Sequence, residues 1–162
     1  MATDPLPRLR KLCLALPEAR EVEAWGAPTF RVKTIFAMYA APGNHHGDGR
    51  AGVWVKAAPG NQELMVRAAP ERFFVPPYVG PSGWIGVYLD GARTDWAELA
   101  ELLHDAWKLS VPKKLLQRAE AGAEGKATGS LVKKRSAKST TPARRGAGAR
   151  KRPGAAARKR KD

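Results

Sequence analysis

The stretch RFFVPPYVGPSGWIGVYLD, residues 72–90, decides how the rest of the chain is read. Its second half alternates. On an extended backbone Ile85, Val87 and Leu89 fall on one face and Trp84, Gly86 and Tyr88 on the other, which predicts a strand closed by Asp90-Gly91. Its first half sets two phenylalanines, prolines and a tyrosine ahead of that strand. Prolines restrict such a connection, and Phe73, Phe74, Tyr78 and Trp84 are expected to anchor it by packing. The alternative reading of the same aromatics is a stacking surface for bases or a small ligand.

Moving toward the N-terminus, PGNQELMVRAAP (59–70) has a turn start, an asparagine at the N-cap and a proline stop, so it reads as a short helix. GVWVKA (52–57) reads as a strand, and PGNHHGDGR (42–50) as a loop. Residues 22–40 read as short strands, with Thr29–Val32 and Ile35–Tyr39 joined tightly by Lys33-Thr34 and preceded by a turn at Gly26-Ala27-Pro28. Sequential strands of this kind pair antiparallel, as a meander. Asp4-Pro5 opens a first helix whose Leu6, Leu9, Leu12, Cys13 and Leu16 share one apolar face, and Pro17 stops it.

Toward the C-terminus a helix is expected from Thr94. Its hydroxyl can cap, and Asp95 and Glu98 suit the positive first turn. Trp96, Leu99, Leu102, Leu103, Ala106 and Trp107 form the buried stripe. Pro112 then begins a short last helix ending at Gly122. The fold class is α+β: a two-layer antiparallel sheet with helices on one face.

Charge divides the chain. Residues 1–122 hold 15 Lys and Arg against 13 Asp and Glu; residues 123–162 hold 14 against two. The final segment contains no aromatic residue, and Leu131 and Val132 are its only large aliphatic ones. Such a composition cannot bury enough apolar area to offset chain entropy. A folded domain is therefore expected over 1–120 and a disordered basic tail over 121–162. Like-charge blocks act as interaction arms, and a mobile polycation suits a polyphosphate backbone. The bland alternative is a solubilising tail.

Several chemistries find no support in the residues. The single cysteine, Cys13, excludes an internal disulfide, fits a reducing cytoplasm, and on an apolar helix face is expected to be a buried, unreactive thiol. No apolar run approaches the roughly 20 residues of a membrane span, and the charged, proline-containing start does not read as a signal peptide. His45-His46-Gly47-Asp48 offers metal-ligand types, but neighbouring histidines in a glycine-rich loop rarely reach one ion, so no metal is expected. His104 has no nucleophile to pair with. Ser82 is not in a nucleophile elbow, and no phosphate-binding glycine loop is present. Neither catalytic residues nor a cofactor are expected.

The order and spacing of several short pieces resemble the MmcQ/YjbR family of small bacterial proteins over roughly residues 5–118. The pieces are Leu16-Pro17-Glu18-Ala19, then Gly26-Ala27-Pro28-Thr29-Phe30-Arg31-Val32 and Ile35-Phe36-Ala37. Pro77-Tyr78 follows, with Trp84 opening a strand that ends at Leu89-Asp90. The resemblance implies a frataxin/CyaY-like fold and a DNA-binding role without catalytic residues. This chain departs from the family pattern in having no charge across Val79–Gly83, and in having Lys33-Thr34 where glycine is frequent.

The expected function is therefore a non-enzymatic DNA-binding protein with weak sequence preference, RNA being the alternative nucleic acid, in the cytoplasm and associated with the nucleoid. Candidate contacts on the folded part are Arg31, Lys33 and Lys56. In the tail they are Lys133, Lys134, Arg135, Arg144, Arg145, Arg150, Lys151, Arg152, Arg158, Lys159, Arg160 and Lys161. The rival reading is a small-ligand- or protein-binding domain that the tail tethers to nucleoid or ribosome. A frataxin-like iron role would want an acidic first helix, whereas this one carries Arg8, Arg10 and Lys11. Oligomeric state is left open.

Overall fold

A computed structural model describes residues 3–44 and 49–123. Helix α1 (Leu6–Leu14) leads into a meander of β1 (Arg20–Ala24), β2 (Ala27–Arg31), β3 (Ile35–Ala40) and β4 (Gly52–Val55). Helix α2 (Asn61–Ala68), strand β5 (Phe73–Phe74) and strand β6 (Ile85–Tyr88) follow, then α3 (Trp96–Lys108). A last helix, α4, covers 113–123. The six strands form one antiparallel sheet in the order β1-β2-β3-β4-β6-β5. The α+β architecture with an antiparallel sheet is as the alternation predicts. Among the described residues no helix is long and apolar enough to cross a membrane.

The two faces of the sheet have different cores. Phe30, Tyr39, Val53, Val55, Ile85 and Val87 meet Leu9 and Cys13 of α1 and Leu99, Leu103, Ala106 and Trp107 of α3 in the main cluster. Burying each such side chain contributes about 1.5–3 kcal/mol. The opposite face carries a smaller cluster of Ala27, Met38, Ala40 and Trp54, with Phe74, Val79 and Trp84 packed against it. The parity of β6 works as expected: Ile85 and Val87 join the helix-side core, while Trp84 packs on the other side. One residue breaks parity on β3. Phe30 pairs with Ala37 and Arg31 with Ile35, so Phe36 has no opposite number. This bulge turns the fully buried Phe36 into the main core beside Ala37.

Four expectations are corrected. Ala27-Pro28 is not the turn but the start of β2; a first strand, β1, precedes it, and Ala24 pairs with Ala27 across a two-residue loop, Trp25-Gly26. Both loop residues have positive φ, 53° and 70°, as a type I′ hairpin requires. Phe73 and Phe74 are not part of a structureless connection but form the edge strand β5, opposite Val87 and Gly86. Asn61 is the first helical residue of α2, and the cap position is Gly60 with φ 85°. The cap of α3 is Asp95, whose carboxylate accepts from the N–H groups of Ala97 and Glu98 at 3.0 Å each. Thr94 does not cap: its hydroxyl oxygen is buried without a partner.

Candidate functional site

The site is built on the sheet face that the helices leave uncovered. Pairing aligns Val22, Thr29, Met38, Trp54, Gly86 and Phe74 in one row across it. Phe74 lies flat at one end of the row because residue 86 is glycine: a Cβ there would sit 2.3 Å from the Phe74 ring. That ring stacks on Tyr88 at 4.5 Å, and the Arg50 guanidinium lies over the other aromatic, 3.4 Å from the Tyr88 centroid. Phe73 is buried in the main core and Trp84 is partly buried on the smaller cluster, so packing accounts for these three aromatics of the opening stretch.

Tyr78 behaves otherwise. It is 75% exposed, and Trp25 at the β1–β2 loop is 68% exposed. Both sit in left-handed backbone, with φ 64° and 53°, a conformation that bulky residues seldom adopt and that functional sites often store. Together with Val79 they wall a groove of about 510 Å³ floored by Met38 and Trp54. That size falls within the roughly 300–1,000 Å³ of ligand pockets. The segment carrying Tyr78 is fixed from below. The Gln62 side-chain amide on α2 donates to the carbonyls of Gly80 (2.8 Å) and Trp84 (2.5 Å).

A row of cations lies on the same face, toward the end of the β1–β2 hairpin opposite Trp25. Arg31 ends β2 on the same face as Thr29, to whose hydroxyl it donates at 2.8 Å. Lys56 follows β4, its N–H continuing the ladder to the Phe36 carbonyl at 2.9 Å. It stands two residues beyond Trp54, about 6.6 Å along the strand. Arg20 of β1 is directly opposite Arg31, and Lys33 is exposed at the adjoining hairpin tip. Like charges facing each other across a sheet are destabilising. Among the described residues these four cations enter no ion pair, whereas Arg10 pairs with Glu21, Arg50 with Asp90, Arg72 with Glu98 and Lys108 with Asp105. The acids of β1, Glu21 and Glu23, have the parity of the helix side, where Arg10 clasps Glu21 with contacts of 2.8 Å. No strand position on the open face is Asp or Glu.

The structure places Arg31, Lys33 and Lys56, the folded part's candidate contacts from the sequence, toward one end of the sheet; sequence reasoning did not single out Arg20, Trp25, Met38 or Trp54 for this face. The signal for Arg20 and Trp25 was the Trp25-Gly26 loop, which marks a hairpin once a strand is granted on either side. Arg93, also basic, borders a cleft with Glu71, Asp90, Asp95 and Glu98 and stands apart from the cation row. The tail residues Lys133 to Lys161 lie outside the described residues, as do His45, His46 and Asp48. Among the described residues no three His, Cys, Asp or Glu side chains gather as metal ligands.

Three titrating groups are displaced from their usual range, and the first, Arg10, is raised chiefly by its hydrogen bonds to Glu21. Burial pushes the Cys13 thiol up, and Glu21 adds to the shift. Burial and the carboxylate of Asp4 raise Tyr39, whose hydroxyl lies 3.5 Å from Asp4. Tyr39 lines a cleft of about 890 Å³ at the far end of the sheet from Arg31, between the chain start and Leu89–Ala92.

The family model described as YjbR matches residues 14–109. No curated protein matches the chain. Among solved structures the chain is similar in fold to Deinococcus radiodurans protein DR2400, a crystal structure with the domain described as DUF419. The two share 23% identity over 65% of this chain and 76% of that one, with a TM-score of 0.52. The match at 14–109 spans α1's end through α3, including both walls of the groove and the cation row. The chain belongs to the YjbR family.

Proposed function

We propose that this is a non-enzymatic DNA-binding protein of weak sequence preference. The cations of its C-terminal segment contact phosphates, and Arg20, Arg31, Lys33 and Lys56 add a second set of contacts. The observation that carries this reading is the segregation of charge: a net of +12 on residues 123–162 against +2 on residues 1–122. Phosphate contacts bind and position without reading bases, hence the weak preference. The absence of Asp and Glu from the strand positions of the open face supports a role for the folded part: the carboxylate at its Tyr88 end, Asp90, is paired with Arg50. The finer likeness of the fold to CyaY, and association with the nucleoid in the cytoplasm, belong to the same proposal.

A second reading is a small-ligand- or protein-binding domain brought to nucleoid or ribosome by its tail. The 510 Å³ groove favours it. A salt titration separates the two. If about 6–10 cations engage phosphates together, affinity for duplex DNA falls roughly 10³–10⁵-fold between about 50 and 200 mM salt. A chain ending at Ala123 is expected to lose most of the affinity and show a flatter slope. Equal affinity and slope for the shortened chain would overturn the tail's role.

A further inference from the structure

We infer that the open-face groove between Trp25 and Tyr78 is a stacking site for one unpaired base of a single-stranded nucleic acid, with Lys56 and Arg31 taking the adjoining phosphate. The inference rests on the proposed reading of the chain as a nucleic-acid-binding protein and gives its folded part a distinct ligand. Three observations converge on it. The groove walls are two exposed aromatic rings held outward by left-handed backbone. Its floor, Met38 and Trp54, is apolar, which suits the face of a base and rejects a bare phosphate. Lys56 and Arg31 stand one step along their strands from the row of that floor, on a face whose strand positions carry no acid. The charge complements a nucleotide's phosphate and opposes an acid-free protein partner or a second copy of the same cationic face.

A base paired within a duplex presents only its edge, so duplex DNA cannot enter a groove that recognises base faces. Stacking on aromatic rings tolerates any base, which agrees with weak sequence preference. Tail and groove therefore separate two substrates: phosphates of any nucleic acid for the tail, unpaired bases for the sheet.

The test uses the full chain and three probes: a dodecameric oligo-dT, a duplex of the same length, and thymidine monophosphate. At about 200 mM salt the tail's contribution is weakened. Replacing Trp25→Ala and Tyr78→Ala together is expected to lower oligo-dT affinity about 5- to 100-fold, the worth of stacking one base. Duplex affinity is expected to stay within about twofold, since no stacking is lost there. Lys56→Ala is expected to weaken oligo-dT binding and reduce its salt slope by about one. Unchanged oligo-dT affinity in the double variant overturns the inference, as does an equal fall for duplex. So does thymidine monophosphate binding as tightly as the oligonucleotide, which would make the groove a free-nucleotide site. In each case the duplex salt titration still judges the tail by itself. A measurement on the unaltered chain guards against misfolding of the variant. Photo-cross-linking with an iodouracil-substituted strand is expected to label Trp25, Trp54 or Tyr78. Labelling confined to residues 124–162 overturns the proposal.

Discussion

Trp107 shows how one side chain ties distant segments together. Its ring is 1% exposed among the main-core residues, and its indole N–H donates to the Pro17 carbonyl at 3.0 Å, fastening the chain after α1 to α3. Trp107→Ala removes both, and truncating a buried tryptophan costs about 3–5 kcal/mol, a large part of a small domain's stability. A thermal midpoint equal to the parent's would refute the packing described. Cys13 gives a second prediction at this scale. Its thiol is fully buried and its ionisation is pushed up, first by desolvation. Below about pH 8.5 the thiol is protonated folded or unfolded. Above that the unfolded thiol ionises and the folded one does not, so the folded state holds the extra proton and stability falls as pH rises. The expected slope is about 1.4 kcal/mol per pH unit from this group. Urea unfolding of the parent and of Cys13→Ala through the alkaline range checks it: the variant is less stable overall but has the flatter profile, and parallel profiles would sink the assignment. Both residues were legible in the sequence because helical periodicity puts them on an apolar face. Tyr78 was not, since its exposure follows from a backbone φ that no periodicity encodes.

At the scale of elements, alternation and punctuation found what has a strong local signal. Ile85, Val87 and Leu89 announce β6, and the spacing of Leu99, Leu103 and Trp107 announces α3. Strands with weak patterns were blurred or missed: β1 was read only in part, within the short strands of 22–40, and β5 not at all. Arg20–Ala24 is an edge strand with two acids, and Phe73–Phe74 has only two residues; both exist because a neighbour's unpaired backbone groups bond to them, which is tertiary information. The groove suffered accordingly, because one of its walls hangs from the hairpin that β1 completes. The bulge at Phe36 was equally hidden, since it depends on the β2–β3 register. Caps were misplaced by one residue for a chemical reason. Thr94 and Asp95 can both cap, but a carboxylate also answers the positive helix end, and Asp95 is the one that accepts two N–H groups. Asp95→Ala is therefore expected to destabilise the protein by about 0.5–2 kcal/mol. Thr94→Ala should cost less, as its hydroxyl has no partner to lose. Chemical denaturation of the two variants ranks them, and the reverse order would return the cap to Thr94.

The whole molecule combines a nearly neutral folded part with a strongly basic terminal segment, and that division was visible from composition alone. Among the described residues, both apolar clusters draw on residues up to Ala119. Residues 124–162 offer Leu131 and Val132 as their large apolar side chains. Ending the chain at Ala123 drops the net charge from +14 to +2, yet removes little that a core could use. Changes away from a core usually stay within about 0.5 kcal/mol, so the thermal midpoint of the shortened chain is expected to match the full one closely. Ligand linkage extends the argument. A ligand raises a midpoint only if it binds the folded state better than the unfolded one. A polycationic segment is present in both states, so duplex DNA held mainly by it should move the full chain's midpoint little, however tightly it binds. Oligo-dT, seated in a groove that exists only when β1 to β4 are paired, should raise it: about 2.7 kcal/mol at a hundredfold excess over the dissociation constant. Thermal scans of the full chain with each probe, at concentrations matched to their measured affinities, decide the matter. A large rise with duplex would move the principal contact from the terminal segment to the folded part. No rise with oligo-dT would remove the groove from nucleic-acid binding.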